Sequence, residues 1–542
     1  MRTYDTLIKW TILDLVVISI YFFALPDLHE DQRYQVVGVS FVFLTFLIIL
    51  FYFLALRKQR EQIHTNLNTL QEAGIQIYRK KYERLLYSRD IGDIPKFARF
   101  LFNLDCLAVV QPGNISELRS IIDLCEHYHI PLIPRGAGTS GYGGTLPIRN
   151  GIIVLLINFS NIISIDKENS IVEVECGITW ENLRNHLESQ NLTLMSYPSS
   201  GPSSTVGGWV AQGGYGVGSA KFGSVGQSVV STTVLDSKGE EFNVKPDVII
   251  GSCGRLGILW KITLKLRNLS NMVHIAVSSS NQDQLLGAIS AYQELHPFFL
   301  RFDGPQNLLW KSLKHNSQEK MTQKYNGGII SMSFLEEDWN RDEFEEILDK
   351  YQLFELSKGL SNILWEERFR TIRMKRQGPS LIIAEVLIPI NHLNEITAIL
   401  ANRYERKLYA LEIISTSDGL CILFVWFPAD IRSKSIPIFG SLPYNFHWIR
   451  IFDIIQIARR WNGKPYSSGL WFSPYSSLIY GKQLREMKRL KKEIDPHGIF
   501  NPGKVWGVWL PRFFPILPYW VIIRIGAPLV SIFYKIVPKR FR

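Results

Sequence analysis

The sequence predicts an α+β protein of more than one domain, carried behind a transmembrane helical hairpin. Three observations predict it. Its 542 residues, 46% of them hydrophobic, are more than one core organises. Four glycine-bearing segments, at 136–144, 205–223, 251–257 and 495–504, are set among stretches of strand and helix pattern rather than gathered in one tract. Finally, Val36 to Leu56 is an uncharged apolar run of the roughly 20 residues that a helix rising about 1.5 Å per residue needs to cross a bilayer.

The run from Trp10 to Leu25 is shorter and contains Asp14. It reads as a second span, with an interfacial helix or a signal-like segment as the alternatives. No small-residue cleavage site precedes the charged turn Asp27 to Asp31, which argues against a removed leader. Arg2 and Lys9 before the first run, and Arg57, Lys58 and Arg60 after the second, put both flanks inside by the positive-inside rule. The expectation is a hairpin over 1–60, single- or multi-pass, localised to the membrane with everything after it cytoplasmic. A helical stalk over 61–93, rich in charges and helix formers, follows.

Ala108 to Leu132 reads as strand, cap-like Asn114 to Ser116, amphipathic helix through Ile121, Ile122, Leu124 and Cys125, and second strand. That strand enters Arg135-Gly136-Ala137-Gly138-Thr139-Ser140-Gly141, where bare N–H groups can converge on an anion. Gly136-x-Gly138-x-x-Gly141 is formally a dinucleotide fingerprint, but that pattern requires a helix next. Gly143, Gly144 and Pro147 forbid one, so the chain stays a loop until the strand at Ile152 to Ile157. Ile171 to Glu175 alternates as a strand and Thr179 opens a capped helix. From about 269 to 445, helices at Gln284–Leu295, Glu343–Tyr351 and Leu393–Tyr404 alternate with strands at Ile329–Phe334, Leu381–Ile388 and Leu420–Phe427, as in a sheet with helices on one face. Leu484 to Ile494 is an amphipathic helix ending at Asp495-Pro496.

The tail, 506–542, is rich in Trp, Phe, Ile and Pro. Pro511, Pro515, Pro518 and Pro528 are expected to preclude one clean spanning helix. The tail then lies among lipid head groups, with Lys535, Lys539, Arg540 and Arg542 on phosphate; a strap packed on the protein is the alternative. The net charge of +11 is assigned to that lipid surface. Nucleic acid is not expected as a partner, because the cations are dispersed and no zinc or helix-turn-helix pattern appears. Five cysteines without C-x-x-C spacing suggest neither a disulfide framework nor a metal centre.

The strand and loop through Arg135 to Ser140 resemble the diphosphate loop of the PCMH-type FAD-binding domain, that of the vanillyl-alcohol oxidase and p-cresol methylhydroxylase superfamily. Thr205-Val206-Gly207-Gly208-Trp209 with Gly213-Gly214, then Gly251 to Leu259, then Asp495 to Lys504, are similar to its later segments in the same order. Trp365 to Arg370 with Gly378 to Leu381 and Glu385 resembles the cap of the D-lactate and glycolate dehydrogenase branch. The resemblance implies a two-subdomain FAD-binding domain over 94–268, an α+β cap over 269–445, and a return segment over 446–505 that closes the flavin site. It implies FAD held by Arg135, Gly136, Ala137, Gly138, Thr139, Ser140, Gly141, Pro198, Ser199, Thr205, Gly207, Gly208, Gly213, Gly214, Gly257, Ile258, Ile262, Asn501 and Lys504. Arg135 could equally pair with a carboxylate. Some relatives tether the flavin through a His of the first loop or a Cys near the second; neither stands here, so FAD is expected to be non-covalent.

Flavin oxidation of an alcohol or hydroxy acid needs a base for the hydroxyl proton and, for an acid, a cation for the carboxylate. Arg368, Arg370 and Arg373 are the cation candidates. The hydroxy-acid branch has Glu-His-Gly before its terminal helix, whereas this chain has Asn462-Gly463-Lys464-Pro465-Tyr466. Tyr466, Lys464 and His447 are the replacement candidates, with Tyr466 and Trp471 alternatively walling the pocket. The departure makes a larger, apolar substrate from the bilayer an alternative to a small 2-hydroxy acid. The expected function is a membrane-anchored FAD-dependent dehydrogenase of a small-molecule or lipid substrate, with a quinone or other acceptor. The second reading is a flavin-dependent lipid-modifying enzyme of the ether-lipid synthase or sterol/isoprenoid reductase type.

Overall fold

The computed structural model describes Leu50, Leu54 and residues 57–536, apart from 103, 149, 312–324, 379, 433–434, 437–439 and 511–513. The expected membrane hairpin therefore lies outside the described residues except for its last few positions. The chain divides into two compact units between Ile75 and Gln76. In the first, residues 57–72 are helical.

The second unit begins with a four-stranded sheet in the order β1 (Gln76–Tyr78), β2 (Ala108–Gln111), β4 (Ile152–Leu155), β3 (Leu132–Arg135). β2, β4 and β3 are parallel, and β1 is an antiparallel edge. The central β4 is apolar and buried at every position, as a parallel strand covered on both faces must be. Helix α1 (Ile115–His127) crosses over from β2, started by the Asn114 carboxamide oxygen accepting the Glu117 N–H at 3.0 Å. β1 corrects the expectation of a purely helical stalk: three residues of edge strand are too few to show against helix-forming neighbours.

A second sheet runs β5 (Ile162–Asp166), β6 (Ile171–Glu175), β10 (Ile258–Asn268), β8 (Val229–Leu235), β9 (Glu241–Val244), with β7 (Leu192–Leu194) also on β10. Two helices capped by threonine hydroxyls accompany it, α2 (Trp180–Glu188) behind Thr179 and α3 (Val206–Gln212) behind Thr205.

The third sheet is antiparallel, in the order β14 (Phe354–Glu355), β11 (Met272–Ser278), β13 (Ile329–Leu335), β12 (Phe299–Asp303), β16 (Ala410–Ser415), β17 (Leu420–Ala429), β15 (Ser380–Pro389), closed by the short strand Lys464–Pro465. Ile382, Ala384, Val386 and Ile388 of β15 face a core shared with α4 (Gln282–Glu294), α5 (Leu393–Arg403) and α6 (Leu442–Ala458). The other face carries Lys358–Glu366 beside β11 and Pro305–Lys311 beside β16. Helices thus lie on both faces, not the one expected. Much of the second face bounds the functional cavity, and the short helices cover what remains.

After α7 (Gln483–Ile494) the chain returns to the first sheet: the Leu132 N–H donates to the Ile499 carbonyl and the Asn501 N–H to the Leu132 carbonyl, each at 2.8 Å. Lys491, buried, donates to the carbonyls of Arg255 (2.7 Å) and Phe500 (2.9 Å) and pairs with Asp495. α8 (Tyr519–Ile536) then runs unbroken through Pro528, which corrects the expectation that the prolines forbid such a helix. Pro528 is exposed, so the carbonyl it leaves without a donor, that of Arg524, has access to solvent. Tyr519, Ile523, Ala527 and Tyr534 bury one face in the core shared with α6.

The Asn501 carboxamide donates to the carbonyls of Gly144 (2.8 Å) and Cys253 (2.6 Å), joining two glycine segments. Asn501→Ala strands both acceptors and is expected to cost about 1–3 kcal/mol. Asn501→Asp is expected to cost more, because a buried carboxylate would face two carbonyl oxygens. Denaturant unfolding checks this; equal, near-zero losses would remove Asn501 from this role.

Candidate active site

β3 delivers Arg135 and then a loop without helix. Gly138 has φ of 70°, and a Cβ there would fall 2.2 Å from the Arg135 guanidinium. A Cβ on Gly136 would fall 2.2 Å from the Thr205 hydroxyl, so the first and second glycine segments are in contact. Arg135 is spent on the loop itself, donating to the Arg89 carbonyl (2.7 Å) and the Thr145 hydroxyl (3.0 Å). Half-buried Asp90, pushed up to about 6 by desolvation, accepts the N–H of Gly143 (2.8 Å) and Gly92 (3.0 Å). Ser140 donates to Gln212 (2.8 Å), whose amide donates to Ser467 (2.6 Å), tying the loop to α3 and to the return segment.

Among the described residues, the amides of Ala137 to Gly141 have no protein acceptor. The buried Ser204 hydroxyl on the same cavity likewise has no partner. Bare amides with a spare hydroxyl, where side chains would collide, fit the diphosphate of FAD.

The cavity, about 440 Å³, runs from these turns to the second face of the third sheet. The pleat sends alternate residues to that face: Leu381, Ile383 and Glu385 from β15, Phe424 and Trp426 from β17, Glu412 and Ile414 from β16, Phe299 and Arg301 from β12. Phe424 and Trp426 stack, with centroids 5.7 Å apart. Glu385 accepts a short hydrogen bond from the Tyr142 hydroxyl. Desolvation pushes Glu385 up to about 7, opposed by the Tyr142 bond and reinforced by Glu412.

Arg135, Gly136, Ala137, Gly138, Thr139, Ser140, Gly141, Pro198, Ser199, Thr205, Gly207, Gly208 and Gly213 all line the cavity. Gly214, Gly257, Ile258, Ile262, Asn501 and Lys504 stand outside its wall, Asn501 supporting it from behind. Tyr466 lines the cavity, but its hydroxyl is held by the Tyr215 main chain, accepting the N–H at 2.8 Å and donating to the carbonyl at 3.1 Å. Arg368 lines it too, bonded to the Trp365 carbonyl (2.9 Å) with its guanidinium 3.9 Å from the Trp365 ring centroid. Arg370 and Arg373 pair with Glu367 away from the cavity. Lys464 donates to the Ile479 carbonyl and His447 contacts Arg450; neither reaches the cavity wall. The sequence reading missed Arg301 and Glu412 and gave Glu385 no chemical role. The signal for all three was a charge between apolar neighbours within a strand, in Phe299–Asp303, Ala410–Ser415 and Ser380–Pro389.

A carboxyl whose pKa is raised on folding stays protonated where the unfolded chain has ionised. Stability from Glu385 is therefore full below the ordinary carboxylate range and is lost as pH rises through about 7. Glu385→Gln is expected to flatten the fall in melting temperature between pH 5 and pH 8; curves parallel to wild type would contradict the raised value.

The profile of the family described as "FAD binding domain" matches residues 106–245, and that of "FAD linked oxidases, C-terminal domain" matches 475–505. Glycolate oxidase subunit GlcD of Bacillus subtilis is 30% identical over 434 residues, 74% of this chain and 88% of that protein. The mitochondrial D-lactate dehydrogenase [cytochrome] of Arabidopsis thaliana is 23% identical over 430 residues, 73% of each chain. Two solved structures share the fold: 4-ethylphenol oxidase from Gulosibacter chungangensis (TM-score 0.64, 14% identity, 83% of this chain and 98% of that one) and alkyldihydroxyacetonephosphate synthase (0.63, 18%, 79% and 82%). FAD is the cofactor. The chain belongs to the FAD-linked oxidase family of glycolate oxidase subunit GlcD and the D-lactate dehydrogenases, and is an FAD-dependent oxidoreductase.

Proposed function

We propose that the chain is a membrane-anchored dehydrogenase that oxidises an organic hydroxy acid, alcohol or lipid-like substrate and delivers the electrons to a quinone or another acceptor. One observation carries the reading: a single cavity joins the bare amides of the glycine turns to a sheet face bearing an acidic group. FAD, when bound, supplies a two-electron acceptor that side chains lack.

The chain's own residues do the rest. The amides of 137–141 and the Ser204 hydroxyl hold the diphosphate, and Thr205, Gly207 and Gly208 let the backbone approach it. Tyr466 is a fixed wall, since both roles of its hydroxyl are taken by Tyr215. The aromatic lining excludes water from the reacting end. Cys253, pushed up to about 11 by burial, and Cys176, pushed up to about 12, are thiols rather than nucleophilic thiolates, which supports non-covalent FAD.

The anchor rests on the apolar N-terminal run and on α8. Ile525, Leu529, Ile532, Phe533 and Ile536 form an exposed stripe opposite the face packed on the core, with Arg524 and Lys535 exposed beside it. A helix with one face on protein and the other apolar lies along a bilayer surface, its cations at the phosphates. Quinone is the diffusible acceptor within reach of an enzyme held there.

The reduction test is anaerobic. Addition of the true substrate, sought among hydroxy acids, alcohols and lipid alcohols, is expected to bleach the flavin, and a short-chain quinone to restore it. Bleaching by no hydroxyl compound, or recovery with oxygen alone, would contradict the reading. The membrane test uses the full chain in vesicles, where the five native cysteines are buried and a new one takes a probe cleanly. A fluorophore on Leu529→Cys is expected to be quenched by nitroxide lipids and one on Glu345→Cys not; two unquenched probes would remove α8 from the bilayer.

A further inference from the structure

Charge is unevenly served along the row of the third sheet that closes the cavity. Asp303, Glu412, Phe424 and Glu385 lie directly opposite one another across β12, β16, β17 and β15. Two of the three carboxylates have cations. Asp303 pairs with Arg301 (2.9 Å) and Lys311 (2.7 Å), and Glu412 pairs with Lys311 (3.1 Å). Glu385, two strands and so about 10 Å from Glu412, has only the neutral phenol of Tyr142, on Oε2. Its Oε1 has no partner among the described residues. Glu412 adds a second spare acceptor, a fully buried Oε1 without a hydrogen bond.

The cations of the cavity wall are, in contrast, engaged. Arg135 is held by Arg89 and Thr145, Arg301 by Asp303, Arg368 by Trp365 and Tyr197, and Lys375 by Asp93 at 3.1 Å. No histidine lines the cavity among the described residues. The walls around Glu385 are Ile383, Phe424, Trp426 and Tyr466.

We infer that the closed end of the cavity binds an uncharged, apolar-bodied alcohol, its hydroxyl donating to Glu385 beside Tyr142, and disfavours the carboxylate of a 2-hydroxy acid. The inference rests on the proposed function in taking this cavity as the substrate site. An anionic ligand would bring a second negative charge to a carboxylate that lacks a cation, in a low-dielectric wall where such repulsion is strong. A neutral hydroxyl supplies the donor that Oε1 lacks, and a hydrocarbon body is matched to the aromatic walls. The titratable groups facing Glu385 are Tyr142 from the first loop, Tyr466 after the Lys464–Pro465 strand and Glu412 from β16; the residue opposite on β17 is Phe424. Burial raises Glu385 to about 7, so the discrimination is expected to grow between pH 6 and pH 8.

Two ligands that cannot be oxidised separate binding from turnover: a tertiary alcohol with a long alkyl tail, and the 2-hydroxy-2-methyl carboxylate with the same tail. Binding to the full-length holoprotein is read by thermal shift and by perturbation of the flavin spectrum. At pH 8 the alcohol is expected to bind about tenfold or more tighter than the carboxylate. Glu385→Gln is expected to narrow that preference by a similar factor, and pH 6 to narrow it in wild type but not in the variant. Should Glu385→Gln fail to fold, the wild-type pH comparison alone decides. Carboxylate bound as tightly as alcohol at pH 8, or a preference that neither the variant nor pH moves, overturns the inference and leaves the proposed oxidoreductase standing. Purified protein that carries no flavin and takes none up would remove both.

Discussion

The active cleft depends on one constraint: glycine turns from different sheets must sit against each other with their amides bare. Contact between Gly136 and Thr205 is possible only because the first has no Cβ. The arrangement is fixed from behind, where Asn501 bonds the carbonyls of Gly144 and Cys253 and the Asn501 main chain pairs with Leu132. A segment about 360 residues downstream of the first loop therefore completes its support. Polar groups that would otherwise be buried alone are satisfied by this closure, which leaves the loop amides as the donors still available.

The second half of the site follows from the pleat. A strand whose alternate side chains face opposite ways can build a core on one side and a chemical wall on the other. In β15, Ile382, Ala384, Val386 and Ile388 do the first, and Leu381, Ile383 and Glu385 the second. Buried charge on such a wall is costly unless paired. Arg301, Asp303, Lys311 and Glu412 form the paired part, and Glu385 is left to titrate near neutrality. Among the described residues, a structural ion-pair network and an acid without a cation thus share one sheet face, and the acid keeps an Oε1 open to a ligand beside the spare Oε1 of Glu412.

The first glycine loop, the crossover helix α1, the Thr179 cap and three strands of the third sheet, β13, β15 and β17, were legible in sequence, because each is specified locally by periodicity, capping or missing Cβ atoms. The glycine turns that line one end of the cavity were legible for the same reason. The catalytic side was not. Lys464 and His447 were singled out for being near a motif in sequence, yet the chain turns both away from the cavity. Glu385 becomes chemical only through a partner 243 positions away, Tyr142, which no local pattern reveals. Pro528 misled in the opposite direction, since its cost depends on whether the freed carbonyl meets solvent, a tertiary fact.

Converging turns that hold FAD should show in the flavin content of the purified full-length protein, compared with that of Gly138→Ala. A methyl at that position would lie 2.2 Å from the Arg135 guanidinium and displace the loop from its φ of 70°. The expected result is a single flavin per wild-type chain and loss of most of it in the variant, with circular dichroism unchanged. A colourless wild type, or a variant that keeps its flavin in full, would contradict the account.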